Sequence, residues 1–214
     1  MVLKQNNLIQ SPNFIKKSDN LSGNQLLDNI GWNYAIQNGI LVDGDGDFIP
    51  WYNYTVVEFL KTKLNKNLVI FEYGCGFSSL FYAKRIKSLA CVDVNTDCIS
   101  WVLDSCKKLN FKNIEIHLTS KEDFANMILN ISNIFDVIII DSVERNKCIS
   151  TCLSRLSNNG VIILDNSERK NYAKSFILLK ENGFKYITFT GIKPLSVKLS
   201  STTIFYRDYN IFEI

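Results

Sequence analysis

The sequence predicts an α/β fold with a doubly wound, mostly parallel sheet. Short runs of apolar residues recur along the chain, and between them apolar residues are spaced as on one face of a helix. Strands made wholly of apolar residues are typical of a parallel sheet that helices cover on both faces. Strand–helix alternation at this spacing indicates the doubly wound class. The 214 residues suffice for one domain with a sizeable core.

The apolar runs predict a sheet of seven strands. The last two have no helix between them, so they should pair antiparallel, whereas the earlier ones should run parallel. This is a Rossmann-like sheet, mostly parallel with an antiparallel strand at its C-terminal side. The predicted strands are residues 68–71, 89–92, 114–118, 136–140, 161–164, 186–189 and 202–206.

Helices are predicted between these strands and before the first one. Ser22 or Asn24 can cap the first helix, and the turn Asn158-Asn159-Gly160 should end the sixth. We divide the chain into an N-terminal helical extension or lid, residues 1–54, and a main domain, residues 55–214. The predicted helices are residues 25–37, 55–64, 79–86, 97–109, 121–129, 145–156 and 172–181.

Charge and hydropathy restrict the partners that the chain can have. The formal net charge is +3 and the lysines are dispersed, whereas nucleic-acid binding requires a dense basic stripe. Residues 1–18 lack the pattern of a signal peptide, and the longest apolar run, residues 137–140, is too short to cross a bilayer. These features predict a cytoplasmic protein with neither a nucleic-acid nor a membrane partner.

The cysteines are predicted to be buried free thiols. No CxxC pair occurs, and His117 is the single histidine, so the spacing disfavours a zinc site. Cys148 and Cys152 are four residues apart on a predicted helix and should share one face. The six cysteines are Cys75, Cys91, Cys98, Cys106, Cys148 and Cys152.

The strongest chemical signal is the turn after the first predicted strand, residues 72–79 with the sequence EYGCGFSS. Gly74 and Gly76 allow a sharp turn and a close approach of a ligand to the backbone. Ser79 stands where a dinucleotide-binding motif has its third glycine. Glu72 would repel a pyrophosphate but attract S-adenosylmethionine, which carries an ammonium and a sulfonium group. The charge therefore favours the sulfonium cofactor over NAD.

With these residues the chain resembles the class I S-adenosylmethionine-dependent methyltransferases, whose first motif is an acidic residue, any residue, Gly, any residue and Gly. The resemblance continues through Asp93 at the end of the second strand, and it implies hydrogen bonds from both ribose hydroxyls to this carboxylate. The alternative role of Asp93 is to cap the next helix, for which Thr96 and Asp97 are also available. The residues that we assign to cofactor binding are Glu72, Gly74, Gly76, Ser78, Asp93, Tyr54 and Ser120.

The resemblance extends from about residue 31 to residue 206, and within the family it is to a bacterial subfamily with little functional characterisation. An aromatic segment before the second predicted helix should lie over the cofactor mouth. Trp51, Tyr54 and Thr55 either contact the methionine end as a lid or bury the N-terminal helices against the sheet.

Asp141 and Asp165 follow the fourth and fifth predicted strands, so both should lie at the ligand-binding edge of the sheet. Asp141 is our first choice for the general base that deprotonates the acceptor, and Asp165 is the second. With Asn166 they resemble the magnesium ligands of catechol-type O-methyltransferases. We predict no metal there, because Arg145 and Arg169 can neutralise the carboxylates or bind an anionic acceptor. Other predicted residues of the acceptor pocket are Ser142, Ser167 and Tyr172.

These residues predict a methyltransferase that acts on a hydroxyl or amine of a small molecule or glycan precursor. Methyl transfer from a sulfonium is an in-line displacement, so alignment of donor and acceptor supplies much of the catalysis. Two alternatives stay open, an aminopropyl transferase-like enzyme and a non-catalytic module that binds S-adenosylmethionine. A homodimer also stays open.

Overall fold

The computed structural model describes residues 23–214, with side chains from Gln25 onward. Residues 1–18, which lack the pattern of a signal peptide, lie outside the described residues. The same holds for Ser22 and for the side chain of Asn24, the two predicted caps of the first helix.

Within residues 23–214, seven strands form one sheet in the order β3-β2-β1-β4-β5-β7-β6. The first five strands run parallel, and β7 pairs antiparallel with both β5 and β6. The predicted fold class and the antiparallel pairing of the last two strands are confirmed. The strands are β1 Val69–Tyr73, β2 Ser88–Asp93, β3 Ile114–Leu118, β4 Phe135–Ile140, β5 Leu156–Asp165, β6 Lys185–Ile192 and β7 Leu199–Tyr206.

Helices connect the parallel strands and precede the first one. None of those in residues 23–214 is long and apolar enough to span a membrane. Short 3-10 helices cover Phe124–Asn130, Leu153–Arg155 and Lys170–Tyr172. The α-helices are α1 Gly23–Asn29, α2 Trp32–Asn38, α3 Tyr54–Lys63, α4 Phe77–Arg85, α5 Thr96–Leu109, α6 Arg145–Cys152 and α7 Ala173–Glu181.

The predicted helix over residues 25–37 is broken into α1 and α2 at Gly31. The φ angle of Gly31 is 79°, in the left-handed region that favours glycine. A Cβ atom there would lie 1.8 Å from the carbonyl oxygen of Val42. The backbone at Val42 packs closely against Gly31, and this contact ends α1. The helical spacing of the apolar residues did not predict the break.

Two further helix predictions were wrong in extent. The helix predicted over residues 145–156 ends at Cys152, and Asn158, Asn159 and Gly160 lie inside β5. Leu156 pairs with Phe135 of β4 and Val161 pairs with Val137, so the Asn-Asn-Gly sequence forms an irregularity within the strand pairing instead of the end of a helix. The helix predicted over residues 121–129 is the 3-10 helix Phe124–Asn130.

The sheet is covered on both faces, and β1 shows how its residues divide. Ile70 and Glu72 point to one face, Phe71 and Tyr73 to the other, as alternation in a strand requires. The first face also buries Ala35, Leu41, Ile49 and Tyr52, so the described part of the predicted N-terminal extension shares the core of the main domain.

The second face buries Cys148 and Cys152 on α6. Their four-residue spacing places them on one side of the helix, as predicted. All six cysteines are unpaired.

Candidate functional site

A cavity of about 480 Å³ opens at the carboxyl edge of the parallel strands. This is where ligands bind in open α/β sheets. One wall is the turn between β1 and α4, and the opposite wall consists of the loops after β4 and β5 with the loop between β6 and β7. The lining residues are Leu41, Trp51, Cys75, Gly76, Phe77, Ser78, Cys98, Asp141, Arg145, Asp165, Asn166, Arg169 and Lys193.

The two glycines of the turn meet different requirements. Gly74 has a φ angle of 100°, and a Cβ atom there would lie 2.8 Å from the carbonyl oxygen of Asp141. Gly74 is therefore required for the backbone of β1 to pack against the loop after β4. A Cβ atom on Gly76 would meet no atom within 4 Å, so this residue leaves the space of the cavity free. Gly76 thus leaves room for a ligand beside the backbone, and its role in cofactor binding stays a prediction.

Glu72 lies behind the turn and not in the cavity wall. Its side chain is buried, and Oε2 accepts a 2.6 Å hydrogen bond from Ser79 Oγ, which in turn accepts one from the backbone N–H of Gly76. Oε1 has no hydrogen-bond partner among the described residues. Burial raises the pKa of Glu72 to about 7. The sequence predicted that Glu72 attracts a cationic ligand directly. In the structure Glu72 instead supports the glycine turn through Ser79.

Asp93 connects the turn with the end of β2. Its Oδ2 atom accepts a 2.9 Å hydrogen bond from the backbone N–H of Cys75, and Oδ1 accepts from the N–H groups of Val94 and Asn95. The cap of α5 is the side chain of Asn95, and neither Asp93 nor the residues proposed as substitutes, Thr96 and Asp97, caps this helix. Asp93 is thus held beside the glycine turn, behind the residues that line the cavity. The hydrogen bonds from ribose hydroxyls that the resemblance implies stay a prediction.

Asp141 is held by Arg145, whose Nη2 atom lies 2.9 Å from Oδ1. Nε of Arg145 donates to the carbonyl oxygen of Ser142, and Nη1 donates to the carbonyl oxygen of Asp165. Each guanidinium nitrogen thus donates within the protein. Arg145 is buried and positions Asp141, so of its two predicted roles it forms the ion pair with a carboxylate and its guanidinium is not free for an anionic acceptor.

The side chain of Asp141 keeps 23% of its surface exposed. Burial and the nearby carboxylate of Asp165 raise its pKa to about 8, although Arg145 acts in the opposite direction. A carboxyl group with a pKa in this range can exchange protons near neutral pH. Asp141 therefore has the accessibility and the proton affinity of a general base.

Asp165 is less accessible than Asp141. It is 2% exposed, and its Oδ1 atom accepts a 2.6 Å hydrogen bond from Thr202 Oγ1. Burial raises its pKa above the ordinary value. The neighbouring Asn166 accepts hydrogen bonds from Arg169 and Arg145 at 2.8 and 3.5 Å.

The structure brings together the three residues that resemble magnesium ligands, Asp141, Asp165 and Asn166. The guanidinium group of Arg145 contacts the side-chain oxygens of Asp141 and Asn166 and the backbone carbonyl oxygen of Asp165. A divalent cation bound by their oxygens would have to displace this charge. The prediction of no metal there stays a prediction, and it has a physical basis.

Several predicted site residues lie outside the cavity walls. Tyr54 is buried in the core beneath them, and Ser120 exchanges hydrogen bonds with Asp123 instead. Trp51 lines the cavity, as a contact with the cofactor would require, whereas Tyr54 is buried in the core, as packing of the N-terminal helices against the sheet would require. The predicted acceptor residues Ser142, Ser167 and Tyr172 are likewise absent from the walls.

Sequence reasoning missed Lys193, which lies 4.9 Å from the ring centroid of Trp51. The indole N–H of Trp51 donates a 2.7 Å hydrogen bond to the carbonyl oxygen of Pro194. This anchors the β6–β7 loop over the cavity. The loop follows a strand of the hairpin, where the sequence carries no pattern that predicts a ligand contact.

The comparisons with known proteins bear on the fold. No family model matches the chain, and no curated protein matches its sequence. Among solved structures, a precorrin-6y C5,15-methyltransferase from Geobacter metallireducens GS-15 is similar, with a TM-score of 0.60 at 17% identity over 72% of this chain and 87% of that one. A putative caffeoyl-CoA O-methyltransferase from Staphylococcus aureus has a TM-score of 0.58 at 14% identity, over 92% of this chain and 100% of that one.

A putative methyltransferase from Streptococcus mutans in complex with SAH has a TM-score of 0.55 at 15% identity, over 70% of this chain and 94% of that one. The chain shares its fold with these methyltransferases. At these identities the similarity concerns the architecture, and the strand order places the glycine turn, Asp93 and Asp141 at the carboxyl edge of the parallel strands.

Proposed function

We propose that the chain is an S-adenosylmethionine-dependent methyltransferase that acts on a small molecule. The observation that carries this proposal is the composition of the cavity, which has the glycine turn on one wall and Asp141 on the other. A cofactor held at the first wall faces an acceptor held at the second. The methyltransferase fold supports the same assignment.

The glycine turn has room for the cofactor beside its backbone. Gly76 leaves open the space into which a Cβ atom would project, and Ser78 lines the cavity beside it. Asp93 holds Cys75 in place and offers carboxylate oxygens for the ribose hydroxyls. When bound, S-adenosylmethionine supplies an electrophilic methyl group on a sulfonium centre.

Asp141 is the residue that we assign to proton transfer. It is the more exposed of the two carboxylates, and Arg145 fixes its orientation. It accepts the proton of an acceptor hydroxyl or ammonium as the acceptor oxygen or nitrogen becomes a nucleophile. Asp165, buried against Thr202, positions the loop after β5.

Arg169 and Lys193 indicate an acceptor that carries an anionic group. Both line the cavity, and neither forms an ion pair within residues 25–214. A carboxylate or phosphate on the acceptor would supply the missing negative charge. An rRNA methylase from Streptococcus thermophilus shares the fold, but two cations in a cavity are not the extended basic surface that RNA binding requires.

The same cations disfavour the alternative of aminopropyl transfer, because a polyamine acceptor would be repelled by them. The alternative of a non-catalytic module predicts cofactor binding without methyl transfer. The homodimer stays a prediction that analytical ultracentrifugation can test.

The cofactor assignment is tested by calorimetry with S-adenosylhomocysteine and with NAD. We expect binding of the first and none of the second. Asp93→Ala should weaken S-adenosylhomocysteine binding about 10- to 100-fold, since one or two charge-assisted hydrogen bonds are lost. Asp97→Ala, on the exposed first turn of α5, is the matched control and should leave the affinity unchanged. Binding of NAD alone would contradict the assignment.

The acceptor assignment is tested with S-adenosylmethionine labelled in its methyl group. We expect transfer to hydroxylated or amino carboxylates and phosphates in preference to their uncharged analogues. Replacing Arg169 and Lys193 by Ala should raise the KM for the anionic acceptor and leave S-adenosylhomocysteine affinity unchanged. Loss of S-adenosylhomocysteine binding in that variant would instead assign the two cations to the cofactor.

A further inference from the structure

Two thiols and a carboxylate meet at the glycine-turn wall of the cavity. The Sγ atoms of Cys75 and Cys98 are 3.8 Å apart, and both lie within 4.8 Å of a carboxylate oxygen of Asp93. Cys75 belongs to the turn after β1 and Cys98 to the first turn of α5. Both cysteines are partly exposed and line the cavity.

The separation of the two sulfurs is the one that a tetrahedral metal site requires. With metal–sulfur bonds of about 2.3 Å and tetrahedral angles, two thiolates lie about 3.8 Å apart. Asp93 provides a third ligand of a kind that zinc accepts. Because the cysteines line the cavity, the fourth position would be open to water or to a ligand.

Both thiols are linked to the turn by hydrogen bonds. Cys75 Sγ donates to Cys98 Sγ at 3.8 Å, and Cys98 Sγ donates to the carbonyl oxygen of Cys75 at 3.0 Å. Thiolates are the forms that bind a metal ion. On binding, the thiol protons pass to the solvent while two metal–sulfur bonds form.

We propose that Cys75, Asp93 and Cys98 form a site for a thiophilic divalent cation of the zinc class, which excludes the ribose of the cofactor from Asp93. The competition with the ribose rests on the proposed function, in which the same carboxylate holds the cofactor. The cation would therefore inhibit the enzyme by competition for Asp93. The sequence-based expectation against zinc depended on local spacing, which does not detect two cysteines that 23 residues separate.

The cation alone is the first probe. Purified protein is titrated with Cd²⁺ under reducing conditions without a competing thiol, and the cadmium–thiolate absorption in the ultraviolet is followed. Zn²⁺ is then titrated against a chelating dye. We expect one cation per chain, and loss of the absorption in Cys75→Ser and in Cys98→Ser. Cys106→Ala, on the same helix α5 but buried away from the cavity, should bind as the unchanged protein does.

The second arm measures reciprocity between the ligands. Saturating S-adenosylhomocysteine should weaken Zn²⁺ binding by the same factor by which Zn²⁺ weakens S-adenosylhomocysteine binding. Cation binding that survives both serine substitutions in folded protein, as judged by circular dichroism, would overturn the site. Simultaneous binding without mutual weakening would overturn the competition for Asp93. Cation binding in a protein that does not bind S-adenosylhomocysteine would leave the site intact and refute the proposed function.

Discussion

Arg145 and Asp141, four residues apart in sequence, form an ion pair in which the guanidinium group is buried and the carboxylate faces the cavity. The remaining guanidinium nitrogens donate to backbone carbonyl oxygens of the loops after β4 and β5. A single side chain thus links two strand ends and holds Asp141 at the cavity, where we propose that the acceptor binds. The stability of these loops and the protonation of Asp141 should both depend on Arg145.

Asp141→Asn should lower the rate of methyl transfer about 100-fold or more, because the amide cannot accept the acceptor's proton. The affinity for S-adenosylhomocysteine should stay unchanged. In the unmodified protein, kcat/KM should rise with pH up to about 8, as Asp141 loses its proton. The measurement is the pH–rate profile with an acceptor from the labelled-methyl screen. A profile that is flat between pH 6 and pH 9 would contradict the role of Asp141.

Arg145→Met should lower the free energy of unfolding by about 3 kcal/mol, because it leaves a partly buried carboxylate unpaired. Lys147→Met is the matched control on the same helix. Lys147 pairs with Glu144 at 2.8 Å, but both side chains are exposed. The control should leave the stability nearly unchanged, because solvent screens an exposed ion pair. Urea denaturation at pH 9, above the pKa of about 8 of Asp141, measures both, and equal effects would show that burial does not distinguish the two ion pairs.

Gly76→Val and Gly74→Ala should fail in different ways. A Cβ atom at position 76 would meet no protein atom within 4 Å and the valine branches would project into the cavity, so the variant should fold and not bind S-adenosylhomocysteine. The alanine at position 74 has an unfavourable positive φ angle and a Cβ atom 2.8 Å from a carbonyl oxygen, so it should lose about 1–3 kcal/mol of stability. Thermal denaturation and calorimetry separate the outcomes. A folded Gly76→Val protein that binds normally would remove the turn from the cofactor site.

Glu72→Gln should stabilise the protein at high pH. The folded-state pKa of Glu72 is about 7, above the ordinary value of 4.5. Its contribution to stability is therefore complete below pH 4.5 and is lost as the pH rises through 7. The glutamine variant has no such loss. The free energy of unfolding that it gains over the unmodified protein should therefore be larger at pH 8 than at pH 5, by roughly 3 kcal/mol at most. Denaturant unfolding at the two pH values measures it, with the exposed Glu181→Gln as the control that should show no such difference.

Much of the site was predictable because it lies directly after strands. The ends of parallel strands share one edge of a sheet, so Gly76, Asp141 and Asp165 could be assigned to one cavity from the order of apolar runs alone. Ser120 follows β3 in the same way, yet it bonds to Asp123 outside the cavity. Position after a strand therefore predicts the neighbourhood of a residue, and the side-chain partners decide its contacts.

The roles of the charged residues were less predictable. The sequence singled out Glu72 in the glycine motif and Arg145 after the fourth strand. In the structure both are buried side chains that hold other residues in place. A sequence shows the charge of a residue but not its burial, and burial decides whether the charge acts on a ligand or within the protein. Lys193 reaches the cavity through a hairpin loop whose position depends on a hydrogen bond to Trp51.

The sequence by itself determined the α/β class, the parallel direction of the first five strands and the position of the glycine turn, because apolar periodicity and glycine content act over a few residues. The tertiary structure alone decided which distant side chains meet. The approach of Cys75 to Cys98, the capture of Asp141 by Arg145 and the break at Gly31 all depend on contacts between separate elements. Such contacts follow from strand register and helix packing, which local sequence patterns do not specify.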